Sequence, residues 1–252
     1  MGGEWRGQYR LGIRRVVLAG SFGPAKLHRH PIVQVTVAYS GDLLATNGFD
    51  DRRCRAVVIP GGVTHTIRAV GDDVRVLSLH MPAWTAEAKA VGGLVPPGGG
   101  PSDWVAAAAV LEDLHLDEAM DIDVAADKVM DVLLATAGRE VENSKVAAAV
   151  ELIGTRVPGK LRMHDLTRVA AASQSSLSRL FTRETGMSFA ATVRWVRMLY
   201  AAQVAESGGS ITDAAHAAGF TDSAHANRVC LEMTGVTPRV IWQAARNGDV
   251  HR

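Results

Sequence analysis

Apolar positions between residues 11 and 82 alternate or run in short β-branched stretches, whereas beyond residue 101 they recur every three or four positions. That change of period predicts strands followed by helices. Ile32-Val33-Gln34-Val35-Thr36-Val37 and Ala56-Val57-Val58-Ile59 are closed by Ser40-Gly41 and Pro60-Gly61-Gly62, and Val74 to His80 alternates before stopping near Pro82. Short strands at this spacing predict a small antiparallel sandwich or barrel. Arg14-Arg15 precedes the apolar run Val16 to Ala19, too short for the core of an export signal, so it reads as a strand.

A break at Gly92-Gly93 and Pro96 to Pro101 reads as a surface connection. After it, Asp103 is placed to cap a helix through Val105, Ala108, Leu111 and Leu114. A second helix sets Ile122, Ala125, Ala126, Val129 and Leu133 on one face and Asp123, Asp127 and Asp131 on another. An apolar stripe of this kind suits packing or a homodimer contact through residues 103–137.

The formal net charge of +1 conceals an asymmetry. Residues 1–142 carry 14 Lys and Arg against 18 Asp and Glu, while residues 143–252 carry 13 against 8. Residues 155–200 hold eight basic side chains and two acidic ones, whereas 103–142 hold two basic and eleven acidic. A basic module at one end points to a polyanion partner for that module. Cys54 and Cys230 form no CxxC pair, so a disulfide framework is not expected and a reducing cytoplasm is. No apolar run approaches the length of a membrane span.

The last section repeats itself at an offset of 49 residues: Arg179 precedes Thr185-Gly186-Met187-Ser188 as Arg228 precedes Thr234-Gly235-Val236-Thr237. Each copy reads as two short helices, Asp165–Ala171 with Ser175–Glu184, then Thr212–Ala218 with Ser223–Met233. That is the helix-turn-helix plan, whose second helix enters the major groove. Ser175, Ser178, Arg179 and Arg183 in the first copy, and Ser223, His225, Asn227 and Arg228 in the second, are the candidate DNA-contacting residues. Small polar side chains allow close approach, and arginine bonds guanine or phosphate.

Leu177 to Phe181, Glu184 to Ser188, Ala218 to His225 and Thr234 to Pro238 resemble the DNA-binding domain of the AraC family of bacterial transcription activators, a likeness spanning residues 147–243. Phe189 to Ser207 is similar to that family's connecting helix. Ala171 stands where the family usually has glycine, and if that position needs positive φ it costs ~1 kcal/mol. Ala226 and Cys230 replace large aromatics and Leu231-Glu232 replaces a basic pair, so the second unit is expected to pack and hold phosphate less well.

His28-Arg29-His30, with Gln34 and Gly41 beyond, and Pro60-Gly61-Gly62-Val63-Thr64-His65 resemble the two cupin motifs. The resemblance implies that His28, His30, Gln34 and His65 hold one divalent, zinc-like transition metal. The alternative is a polar lining of an organic-ligand cavity; His80 and Cys54 read as ordinary core or rim, with a place in that cavity as their other reading. Gln34 is a neutral donor where the motif has a carboxylate.

The chain is therefore expected to be an α+β two-domain protein: a cupin-like antiparallel β-barrel over residues 1–85, a helical linker or dimerisation segment over 86–142, and an all-α double helix-turn-helix domain over 143–252. The function expected is a non-enzymatic, ligand- or metal-responsive transcription regulator, with a metal-dependent dioxygenase-like cupin enzyme fused to a DNA-binding domain as the alternative. Operator DNA, an effector, a second copy and RNA polymerase are its expected partners, and a membrane is not.

Overall fold

The computed structural model describes residues 6–21, 23, 25–159 and 161–240. Six antiparallel strands, β1 (Arg6–Leu11), β2 (Val16–Ser21), β3 (Ile32–Thr46), β4 (Asp51–Cys54), β5 (Ala56–Ile59) and β6 (Thr66–Pro82), form one sheet in the order β1-β2-β6-β3-β4, with β5 also on β3. Its end strands are not joined among the described residues, so the expected barrel is an open sheet. The two long strands carry it. β3 and β6 pair from Ile32/Pro82 to Thr46/Thr66, with register shifts between Ala38 and Asp42, where Gly41 takes φ +75°. Irregularities of this kind bend a strand and let a sheet curve.

The register sorts the two faces. Val33, Val35, Leu77, Leu79 and Val17 lie in the core shared with α1 (Ala86–Gly92), α2 (Pro101–Ala107) and α3 (Ile122–Thr136). Gln34 opposite His80, and Thr36 opposite Ser78, share the other face with Val16 and Leu18. The apolar stripe of α3 is buried as its period predicts, Ile122, Ala125, Ala126, Val129 and Leu133 all packing inside the protomer. The surface that motivated a dimer through residues 103–137 is thereby consumed. Asp103 is not the cap of α2: Pro101 starts that helix one turn earlier, Gly100 is the cap residue, and Asp103 accepts the Gly100 N–H at 2.9 Å. The helix stops at Ala107, so Leu111 falls in a separate 3₁₀ turn (Ala109–Leu111) and Leu114 beyond it.

A second core joins α4 (Ser144–Arg156), α5 (Met163–Thr167), α6 (Gln174–Thr185), α7 (Phe189–Glu206), α8 (Ile211–Ala217) and α9 (Ser223–Thr234), together with Ile32 and Trp84 of the sheet domain. The two copies of the repeat match in detail. Ser173 and Asp222 cap α6 and α9, and Gly186 and Gly235 end them in the left-handed conformation at φ +67° and +71°. The turn inside each unit is also shared: Ala171 and Gly219 both take positive φ, +45° and +77°. The amides of Ala172 and Phe220 close the same five-residue bond, to Thr167 and Ala215. Among the described residues no helix is long and apolar enough to cross a membrane.

Candidate effector site and nucleic-acid face

The segment before β3 and the loop between β5 and β6 pair at a single antiparallel bridge, His28 with His65, through two backbone hydrogen bonds of 3.0 Å. This brings the two sequence motifs together, and ligand atoms of His28, His30 and His65 all lie within 4.8 Å of one another. Each imidazole has its Nδ1 against a backbone carbonyl: His28 on Lys26 at 2.9 Å, His30 on Ile32 at 3.2 Å and His65 on Val63 at 3.0 Å. A carbonyl only accepts, so each Nδ1 donates, and each neutral ring keeps its lone pair on Nε2. His30 and His65 are held neutral, their pKa values driven down first by burial, with neighbouring histidines adding to it; His65 falls to about 3.

Gln34 completes the cluster. Its side-chain oxygen stands 3.3 Å from His30 Nε2 and 3.1 Å from His65 Nε2, while its amide nitrogen donates to Thr36 and Ser78 at 3.1 and 3.3 Å. Acceptor thus faces two acceptors. A cation between them resolves the conflict, as does turning the amide over so that its NH₂ donates to both rings. The Nδ1–carbonyl bonds are the arrangement that orients histidine as a metal ligand through Nε2. Three imidazoles and a carbonyl oxygen fit a zinc-like ion, and they would hold it as a Lewis acid.

The cluster sits at one end of a cavity of about 430 Å³ between the two domains. His28, His30, Gln34, Ser78 and His80 face it from the sheet domain, and Trp195, Met198 and Leu199 of α7 and Phe220, Ala226 and Cys230 of the second unit from the other side. Ala226 and Cys230 are buried, and the room that larger side chains would fill belongs to this cavity. Burial raises the Cys230 thiol to about 11, so it is a neutral wall. His80 is a wall residue, whereas Cys54 lies in the core behind the sheet. Trp195 had no signal in the sequence; its ring centroid is 6.0 Å from that of His30 and its buried indole N–H has no partner among the described residues.

The histidine-bearing segments also dock both helix-turn-helix units. Lys26 N–H donates to Gly235 at 2.9 Å and Arg29 N–H to Glu232 at 3.1 Å, both at the end of α9. The Arg29 guanidinium donates to Gly186 at 3.1 Å, at the end of α6, where the Gly186 and Gly61 backbones are in contact. Lys89 of α1 reaches Glu184 at 2.9 Å.

Ser175, Ser178, Arg179 and Arg183 of α6 and Asn227 and Arg228 of α9 are exposed, with Ser223 and His225 half-buried. Three of the eight are engaged inside the chain, Ser175 through the Ser173 hydroxyl at 3.2 Å. Arg183 donates to Glu184, and His225 is fixed by Thr221 at 2.8 Å and by edge contact with Phe220. Arg194 pairs with Glu232, and Arg197 donates to Gly159, so the basic excess of the first unit is only partly free for phosphate.

Two amphipathic helices around a tight turn, repeated and joined by a long helix, define a helix-turn-helix DNA-binding class. Residues 166–243 match the family model described as a helix-turn-helix domain. The whole chain is similar to ToxT of Vibrio cholerae. For an apo single-site variant of ToxT from strain SCE256 the TM-score is 0.58 at 10% identity, covering 92% of this chain and 98% of that one. For wild-type ToxT of the same strain with bound unsaturated fatty acid it is 0.57 at 11%, covering 94% and 98%. That likeness is one of fold. No curated protein matches the chain.

Proposed function

We propose that this protein is a transcription regulator that binds operator DNA through both helix-turn-helix units and takes its effector in the cavity between its domains. The observation that carries the reading is that one cavity is walled both by the histidine cluster and by α9, a DNA-facing helix. An occupant there touches the sheet domain and a DNA-binding unit at once, so it has differential contact with any state in which the two separate. The largely apolar wall suits a small apolar molecule, and the fatty acid in the ToxT structure is an occupant of that kind in a protein of the same fold.

Within this reading His28, His30, His65 and Gln34 hold a divalent transition metal at the polar end of the cavity. Support comes from ligand atoms of three histidines within 4.8 Å of one another and from the opposed acceptors of Gln34. Elemental analysis of the purified chain tests the metal. One equivalent of zinc, lost in His65→Ala, is expected; a chain that takes up none has the turned-over amide and a cavity for organic ligand alone. DNA binding is tested by fluorescence anisotropy on duplexes selected from a random pool, with and without a fatty-acid panel. A selected duplex whose affinity no fatty acid alters, with or without zinc, contradicts the effector assignment.

A further inference from the structure

We infer that the cavity takes an apolar-tailed anion whose head binds the metal, a deepening that rests on the metal reading above. Charge balance at the cluster requires an anion. Three neutral imidazoles and one neutral amide leave the full +2 of a divalent ion uncompensated. Among the described residues lining the cavity there is no Asp, Glu, Lys or Arg, and the thiol of Cys230 is kept protonated by burial. A double positive charge against an apolar wall is strongly unfavourable unless an anion meets it. Where the cupin motif supplies that anion as a carboxylate on the strand, this chain has Gln34, so the chain itself leaves the negative charge for the ligand to bring.

An anionic head would approach from the cavity side. His28, His30 and Gln34 line the cavity, whereas His65 stands behind them, fully buried. Trp195 supplies an independent indication. The residue is 5% exposed, lines the cavity beside His30, and carries an N–H that no described residue accepts. An indole N–H is a donor only, so what it lacks is an acceptor, as a carboxylate oxygen would be. Beyond the head, Leu18, Ile67, Met198, Leu199 and Ala202 offer a surface for hydrocarbon. The ligand class is therefore a medium-chain carboxylate or another amphiphile with an anionic oxygen or sulfur head.

Calorimetry on the full chain tests this with decanoate and decan-1-ol, each against metal-free and zinc-loaded protein. Zinc uptake is first measured by competition with a chromophoric chelator. Charge-assisted contacts contribute ~1.5–3 kcal/mol, so zinc should raise decanoate affinity about 10- to 100-fold and leave decanol unchanged. Trp195→Phe should lower decanoate affinity in loaded protein without altering zinc affinity. Gln34→Glu, which brings the anion on the chain, should tighten zinc and shrink the decanoate advantage. Equal gains for decanoate and decanol, or decanoate binding indifferent to zinc, overturn the inference with the metal reading intact. A chain that takes up no zinc overturns both at the chelator step.

Discussion

Gly235 closes the recognition helix α9 directly against His28: a Cβ at this position would lie 2.9 Å from the imidazole Nδ1 and 2.3 Å from the Lys26 carbonyl. The last turn of the second unit's second helix and a member of the histidine cluster are thus a single contact. Gly235→Ala adds that collision to the strain of φ +71° and should destabilise the protein by more than ~1 kcal/mol, with zinc affinity falling alongside. Gly208→Ala is the control, because φ is +95° there but no heavy atom lies within 4 Å of the added Cβ. It should cost only the backbone term of ~1 kcal/mol and leave zinc untouched. Denaturant midpoints and zinc titrations of both variants check this; equal zinc affinities would break the link between α9 and the cluster.

Ala171 and Gly219 hold the same turn position, and only one of them is the residue the conformation favours. Ala171→Gly relieves φ +45° and should stabilise by ~0.5–1 kcal/mol. Gly219→Ala should do the reverse and by more, since its Cβ would meet the Pro158 carbonyl at 2.3 Å. Thermal melts of the two variants should move in opposite directions.

Glu184 ties the first unit to α1 and has its own pH window. Burial pushes its carboxyl up, but hydrogen bonds and charge from Lys89 and Arg183 outweigh that and leave it below the usual 4.5. The folded state therefore binds fewer protons than the unfolded one just below pH 4.5, and stability falls as the pH drops through that range. In Glu184→Gln this component should vanish, visible as a shallower fall in melting temperature below pH 4.5 than in the native chain.

The exposed faces set an order for the candidate DNA-contacting residues. Arg179 is exposed on the unit with the larger basic excess, and Arg179→Ala should cost ~1–3 kcal/mol on selected DNA. Arg183, already paired with Glu184, should matter less, and so should Asn227 on the less basic second unit. Anisotropy across a salt series checks both the ranking and the slope. A larger loss for Asn227→Ala than for Arg179→Ala would reverse it.

How much of this was legible in the chain depended on how local the signal was. The histidine cluster was readable because both motifs keep their spacing and one backbone bridge brings them together. The helix-turn-helix units were readable because capping residues, left-handed glycines and apolar positions repeat within 49 residues. The strand period reported the antiparallel sheet but not its failure to close, since alternation says which residues share a face and not what covers it. What covers it is α7, and nothing near His30 in the sequence announces Trp195. The same holds for Gly186 and Gly235: their spacing identified the helix ends, while their docking on Gly61 and Lys26 depends on a surface more than a hundred residues away. The stripe of α3 was visible as amphipathic, but a period cannot distinguish its own sheet from a second copy.

Site selection from a random duplex pool with the full chain tests the central claim, that both units read DNA together. The account predicts enrichment of two short motifs set about one helical turn, ~34 Å, apart, with Arg179→Ala weakening one motif and Arg228→Ala the other. A pool that yields no enriched sequence, or a single motif lost equally in both variants, would contradict it.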